Sequence, residues 1–209
     1  SDWIDNGFTG ENDALGGHNT GAFRLQFLWQ ASDRFSALLN LHGWELDGTA
    51  RVFRANILKP GSNDLASGFS PDKVYQDGLN DQEISSQGGA FTLNYEFDFG
   101  TLTAITGYET LDMFSRGDID GGFGAVFAPP SGPGFIPFPS ESADGLPELD
   151  QFTQEIRLAS DTGGAWDWLV GFFYFDESLT AEATSYNTLG GNVQDGYAFQ
   201  VQDAESWAL

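Results

Sequence analysis

The sequence predicts an all-β protein, an antiparallel meander of transmembrane β-barrel strands. Aromatic residues make up 15% of the 209 residues, and many stand at every second position of alternating apolar and polar runs. The runs come in pairs joined by short turns, and long stretches rich in Gly, Pro, Asn and Asp separate the pairs. No run of about 18 apolar residues occurs, so we expect no transmembrane helix.

The first hairpin is predicted over residues 18–44. Its first strand alternates cleanly, and Arg24 lies on the polar side. Ser32-Asp33-Arg34 makes a tight turn, and the returning strand carries Asn40 and His42 on its polar side. The apolar positions of this hairpin are Phe23, Leu25, Phe27, Trp29, Ala37, Leu39 and Leu41.

The second hairpin is predicted over residues 89–111, with its turn at 98–100. Glu96 lies on the polar side of the first strand. The returning strand has less distinct faces. The apolar side is assigned to Phe91, Leu93, Tyr95, Phe97, Leu102, Ala104, Thr106 and Tyr108.

The third hairpin is predicted over residues 149–178, with its turn at 160–165. Its first strand directs Phe152, Ile156 and Leu158 to one side and Glu155 and Arg157 to the other. Gln154 falls on the apolar side, and the pattern gives no reason for it. Residues 168–175 are apolar at nearly every position, so the pattern does not assign their polar side.

Three long loops are predicted, over residues 45–87, 112–148 and 179–203. Because neighbouring strands are antiparallel, all the short turns fall at one end and all the long loops at the other. Short periplasmic turns and long extracellular loops are typical of outer-membrane barrels. Large aromatics flank each short turn, as in the aromatic girdle of such barrels, although ordinary cross-strand packing also produces this pattern. About six full strands form only a partial barrel, so we expect the chain to be a segment of a longer polypeptide.

In such a barrel the polar side faces the lumen. An Arg on the lipid side at mid-membrane costs about 2–4 kcal/mol, and the strand arginines fall on the polar side. The predicted lumen-facing residues are Arg24, Asn40, His42, Glu96, Glu155 and Arg157.

The net charge of -23 and the absence of cysteine exclude several functions. So negative a chain repels nucleic acid, and without Cys there is no disulfide framework or thiol chemistry. The chain lacks HExxH, G-x-S-x-G and P-loop motifs, so we expect no enzyme and no cofactor.

Two loop features have alternative interpretations. Asp118 and Asp120 lie in a glycine-rich run that could bind Ca²⁺, but EF-hand spacing is missing, so a solvated loop without metal is favoured. The second feature is apolar residues in a long loop, which indicate a substrate-facing patch. This patch comprises Phe123, Phe127, Phe135 and Phe138.

Residues 152–160, read Phe-Thr-Gln-Glu-Ile-Arg-Leu-Ala-Ser, together with Trp-Leu-Val-Gly-Phe-Phe-Tyr-Phe-Asp-Glu at 168–177, resemble the barrel of TonB-dependent outer-membrane receptors. Residues 100–108 and 25–35 are similar to other strands of that barrel. The resemblance implies a Gram-negative outer-membrane receptor that imports a bulky nutrient such as a ferric siderophore, cobalamin or an oligosaccharide. Its partners would be outer-membrane lipid and the TonB complex, contacted through an N-terminal plug and TonB box that nothing in this chain resembles.

Two other interpretations stay open from the sequence. One is a passive, porin-like outer-membrane channel, which would share the barrel wall but have no plug. The other is a secreted, calcium-binding β-sandwich, which would be soluble without detergent and stabilised by millimolar Ca²⁺.

Overall fold

The computed structural model describes residues 1–55, 57–59, 61–121, 140–161, 163, 165–187, 190–191 and 193–209. These residues form β-strands and no helix, so they include no helical membrane span. The strands are β1 (Ile4–Asn6), β2 (Glu11–Leu15), β3 (His18–Ser32), β4 (Phe35–Gly48), β5 (Lys73–Val74), β6 (Asp81–Phe97), β7 (Gly100–Asp118), β8 (Glu141–Ser160), β9 (Leu169–Asn187) and β10 (Val193–Ala208).

Seven strands form one antiparallel sheet in the order β10-β9-β8-β7-β6-β4-β3. Each strand pairs with the one before it in the sheet, so the chain runs up and down as a meander. The connections 33–34, 98–99 and 161–168 lie at one end, which we call the short-turn end. The strand ends that flank residues 49–80, 119–140 and 188–192 lie at the other end, the long-connection end.

One face of the sheet is apolar along the half of the strands nearest the short turns. A single row of directly paired residues crosses all seven strands on this face: Phe27, Leu39, Phe91, Thr106, Gln154, Tyr174 and Trp207. The register places every apolar position predicted for the three hairpins on this same face, which we call the apolar face. The opposite face is the polar face.

The large sheet is a single layer among the described residues. Phe27 is 63% exposed and Phe91 41% exposed, and Leu93 is only half-buried. Of the buried apolar residues that the structure describes, Ala37 and Ala143 belong to the strands of this sheet, and both are small. The pattern of alternating faces therefore does not serve to build a dry core between two layers.

The buried part of the molecule is the long-connection end. There β1 pairs with β2 and β5 in a small three-stranded sheet. Buried Gln76 ties this sheet to its surroundings, because its carbonyl accepts from Asn6 and its amide donates to the carbonyl of Phe53. Thr49 donates its backbone N–H to the carbonyl of Gly17 at 2.9 Å, just beyond the last pair of β3 and β4.

The loop bounds expected from the sequence were too wide. The strands continue into these expected loops and include residues 45–48, 81–88, 112–118, 141–148, 179–187 and 193–203. The sheet therefore has seven strands rather than about six. In these extensions the large apolar side chains of the hairpins are missing, as in Thr180, Glu182 and Thr184 alternating with the small Ala181 and Ala183. The alternation that reveals a strand is therefore missing where the strand continues.

Barrel closure is not seen. Strands β3 and β10 are the two edges, and within the described part of the chain each pairs with a single neighbour. The structure supports the all-β class and the antiparallel meander, and the barrel itself remains a prediction.

Candidate functional site

The polar face brings the six predicted lumen-facing residues onto one side of the sheet. Arg24 is the direct cross-strand partner of His42, and Asn40 lies two positions along the same strand. Glu155 and Arg157 form an ion pair at 3.1 Å on β8, and Glu96 shares their face at the short-turn end of β6. That this face borders a lumen stays a prediction.

His42 and Glu109 make a contact across an intervening strand. Nε2 of His42 lies 3.0 Å from Oε2 of Glu109, although β6 runs between β4 and β7. The residue between them is Gly88, and a Cβ at Gly88 would lie 1.9 Å from Oε2 of Glu109. The pair exists because β6 has no side chain at this position.

The apolar face carries a chain of aromatic rings at the short-turn end. Trp29 contacts Phe35 edge to face at 5.8 Å between ring centroids, and Phe35 lies 6.5 Å from Tyr95. Tyr95 then contacts Phe97 at 4.7 Å, and Phe97 stacks on Phe99 at 5.2 Å. The rings thus form a continuous band along this edge of the face.

Gln154, which the sequence pattern left unexplained, has partners for its whole amide. The hydroxyl of Thr106 donates to Oε1 of Gln154 at 2.7 Å, and Nε2 of Gln154 donates to the carbonyl of Ile105 at 3.0 Å. An amide on an apolar surface is tolerated when its hydrogen bonds are made within the protein.

An acidic cluster lies at the long-connection end. Asp77 comes from the connection before β6, Asp118 ends β7, and Asp120 follows it; carboxylate oxygens of the three lie within 4.8 Å of one another. Asp118 is fully buried and Asp120 is 2% exposed. Asp120 is held by a hydrogen bond from the backbone N–H of Ser140 at 2.8 Å.

Glu141 lies beside this cluster and is also fully buried. It accepts from Nε of Arg116 at 2.5 Å and from the backbone N–H of Leu79 at 3.0 Å. Arg116 in turn stacks on the ring of Tyr186, with Cζ 3.6 Å from the centroid. Arg116 is thereby fixed against Glu141.

Burial and mutual repulsion perturb the cluster. Burial, reinforced by the charge of Asp120, raises the pKa of Asp118 to about 6, even though the backbone N–H groups of Gly78 and Asp77 donate to it. Burial and the charge of Asp118 also raise the pKa of Asp77. The favoured interpretation of Asp118 and Asp120 as a solvated loop is therefore wrong, because both are buried.

A cavity of about 560 Å³ opens at the same end of the sheet. Its walls include Gln82 and Ser115 from the polar face and Arg51 and Phe53 from the connection after β4. The predicted substrate patch of Phe123, Phe127, Phe135 and Phe138 lies outside the described residues.

Sequence reasoning missed Asp77 and Glu141. They are separated from Asp118 by 41 and 23 positions, and each stands in a stretch expected to be loop. Glu141 comes next to Asp118 because the two residues pair across β7 and β8. This pair lies beyond the alternating part of both strands. No signal in the sequence marks either residue.

The chain matches no protein-family model, no curated protein and no solved structure. What the protein does must therefore be argued from its own residues and fold.

Proposed function

We propose that this chain forms part of the wall of a TonB-dependent outer-membrane receptor that imports a bulky nutrient such as a ferric siderophore, cobalamin or an oligosaccharide. The observation that carries the proposal is the uncovered apolar face. Burying apolar surface is worth about 25 cal/mol per Å², so a face that exposes Phe23, Leu25, Phe27, Trp29, Phe91 and Trp207 needs a medium other than water. Hydrocarbon is the medium that fits an open single layer.

The dimensions of the face are compatible with a bilayer. The apolar positions of β7 extend from Leu102 to Tyr108 and those of β6 from Phe91 to Phe97. Seven residues per strand, at roughly 3.4 Å each and tilted by about 40°, span about 18 Å, so the apolar positions cover most of the roughly 25 Å apolar band of outer-membrane barrels. Tyr108, whose hydroxyl donates to Asp150 at 2.6 Å, stands at the polar boundary opposite the aromatic band.

The polar face and the open edges agree with this role. Charged residues such as Arg157 and Glu155 suit a wet lumen rather than a dry core. A sheet with two unpaired edges is prone to aggregation, and further strands of the same barrel would cover them.

A passive channel would have the same wall. Active import is favoured by the resemblance of residues 152–160 and 168–177 to TonB-dependent receptors, which is a property of the sequence rather than of the fold. The β-sandwich alternative requires a second sheet about 10 Å from the first, and the described residues place none over the apolar face.

Site-directed spin labelling tests the membrane part of the proposal. Because the chain has no cysteine, Phe27→Cys and Phe91→Cys each provide a single label on the apolar face. Gln26→Cys and Thr92→Cys are matched controls on the opposite face of the same strands. In bilayers, labels at 27 and 91 should be relaxed mainly by oxygen and labels at 26 and 92 by a water-soluble nickel complex. Equal access of the nickel complex to all four positions would refute the proposal.

Uptake separates active import from passive permeation. Cells with and without the gene are supplied with labelled ferric siderophores, cobalamin or oligosaccharides, before and after collapse of the proton gradient. Active import predicts gene-dependent uptake that stops when the gradient is lost. Uptake that continues without the gradient would establish the passive channel instead.

A further inference from the structure

We propose that Asp77, Asp118 and Asp120 bind one Ca²⁺ ion at the long-connection end of the sheet. The site goes beyond the proposed function, because its geometry does not depend on whether the sheet lies in a membrane. Glu141, next to these three, adds to the negative charge that the ion would balance.

The spacing of the oxygens suits calcium. Ca²⁺ is bound by oxygens at about 2.3–2.6 Å, so two ligands on opposite sides of one ion lie about 4.8 Å apart. One carboxylate oxygen from each aspartate falls within 4.8 Å of the others. Mg²⁺ needs ligands at about 2.0–2.1 Å in a near-ideal octahedron and usually keeps several waters, so carboxylates from irregular connections suit the more flexible coordination of Ca²⁺.

The hydrogen bonds leave ligand atoms unused. Oδ2 of Asp118 accepts from the N–H groups of Asp77 and Gly78, whereas its Oδ1 is buried without a hydrogen-bond partner. The carboxyl of Asp118 lies against those of Asp77 and Asp120, with oxygens of the three within 4.8 Å of one another. Oδ1 of Asp77 and Oε2 of Glu141 are likewise buried and unpartnered. A buried carboxylate oxygen turned toward other carboxylates needs a cation or a proton.

The charges do not balance without a cation. Four carboxylates meet one guanidinium, and Arg116 is already engaged with Glu141 and Tyr186. Removal of a carboxylate from water costs free energy of desolvation, and a bound divalent cation offsets that cost by direct attraction.

The ion would join segments that are distant in sequence. Asp77 precedes β6, and Asp118 and Asp120 close β7, so one ion would clamp two long connections where they leave the sheet. This is also the end that carries the cavity lined by Gln82 and Ser115. Binding would therefore order the part of the protein that is best placed to meet a ligand.

Equilibrium dialysis with radioactive Ca²⁺ on the full protein in detergent tests the site, with Mg²⁺ in excess to occupy weak acidic sites. Asp118→Asn keeps the size of the side chain and the oxygen that accepts from Asp77 and Gly78. Asp112→Asn is the matched control, because Asp112 lies on the same strand, is exposed and loses the same charge. We expect the Asp118→Asn variant to bind one Ca²⁺ fewer per chain than the wild type, and the Asp112→Asn variant to bind as many.

A second measurement guards against misfolding. Ca²⁺ should raise the Tm of the wild type and of the Asp112→Asn variant and leave that of the Asp118→Asn variant unmoved. Asp77→Asn, at a half-exposed position, should behave as Asp118→Asn does. Unchanged Ca²⁺ counts in both the Asp77 and Asp118 variants, or an equal rise of Tm in every variant, would overturn the proposal.

Discussion

Gly88 allows side chains of two strands that are not neighbours in the sheet to contact each other. Glu109 on β7 reaches over β6 to His42 on β4, and any side chain at 88 would occupy the place of its carboxylate. The residue acts through the volume it leaves empty, not through an unusual backbone conformation.

We expect Gly88→Ala to lower the free energy of unfolding by about 1–3 kcal/mol, because the carboxylate must be displaced and His42 loses its partner. In a Glu109→Ala background the same substitution should be nearly neutral, since the group that it displaces is gone. Gly21→Ala is the control, because a Cβ there meets nothing within 4 Å. Urea unfolding of the four variants and the wild type measures the cycle. A penalty at 88 that persists without Glu109 would contradict this account.

Thr106 and Gln154 report on the medium that covers the apolar face. If hydrocarbon covers it, Thr106→Val should lower the free energy of unfolding by about 1–3 kcal/mol, because Oε1 of Gln154 loses its donor with no water to replace it. Adding Gln154→Leu removes the unsatisfied amide and should restore most of that loss. Denaturant unfolding in detergent or bilayers measures the series. If water covered this face, all the variants would stay within about 0.5 kcal/mol of the wild type.

At the scale of the strand, whether a strand can be predicted from the sequence depends on how much its two faces differ in polarity. From Phe23 to Trp29 one side is apolar and the other polar, so the strand, its facing and its hairpin partner could all be predicted. From Leu179 to Asn187 a polar side faces one of small and polar residues, and the strand was mistaken for a loop. The acidic cluster lies where such extensions meet the connections, which is why Asp77 and the neighbouring Glu141 could not be found from the sequence.

The extension of β9 gives a test of the corrected strand bounds. Thr184 pairs with Ala143 on one side and Tyr197 on the other, so a proline there removes an N–H from a strand with neighbours on both sides. We expect Thr184→Pro to cost about 1–3 kcal/mol for an orphaned carbonyl alone, with faster amide exchange in β9 and β10. Thr184→Val, which suits a strand, is the control and should be nearly neutral. Equal tolerance of both substitutions would mean that residues 179–187 behave as a loop.

For the whole molecule, the short-turn end and the long-connection end of the sheet carry different features. The short-turn end carries the aromatic band and the exposed ion pair between Arg34 and Asp98 at 2.6 Å. The long-connection end carries the small sheet, the cavity and the buried acidic cluster. The orientation of the sheet in a membrane therefore determines which of these features faces the exterior of the cell.

Outer-membrane barrels insert with short turns toward the periplasm and long connections toward the exterior. The proposed function thus predicts that Ser67, in the connection between β4 and β6, faces outward and that Asp33, in the turn after β3, faces the periplasm. Ser67→Cys and Asp33→Cys each introduce the single thiol of the chain at an exposed position. On intact cells an impermeant maleimide should label the cysteine at 67 and leave that at 33 unlabelled until the outer membrane is permeabilised. The reverse pattern would invert the orientation and place the proposed calcium site in the periplasm, whereas labelling of neither site on permeabilised cells would mean that the exposed turns of this fold are covered by another part of the protein.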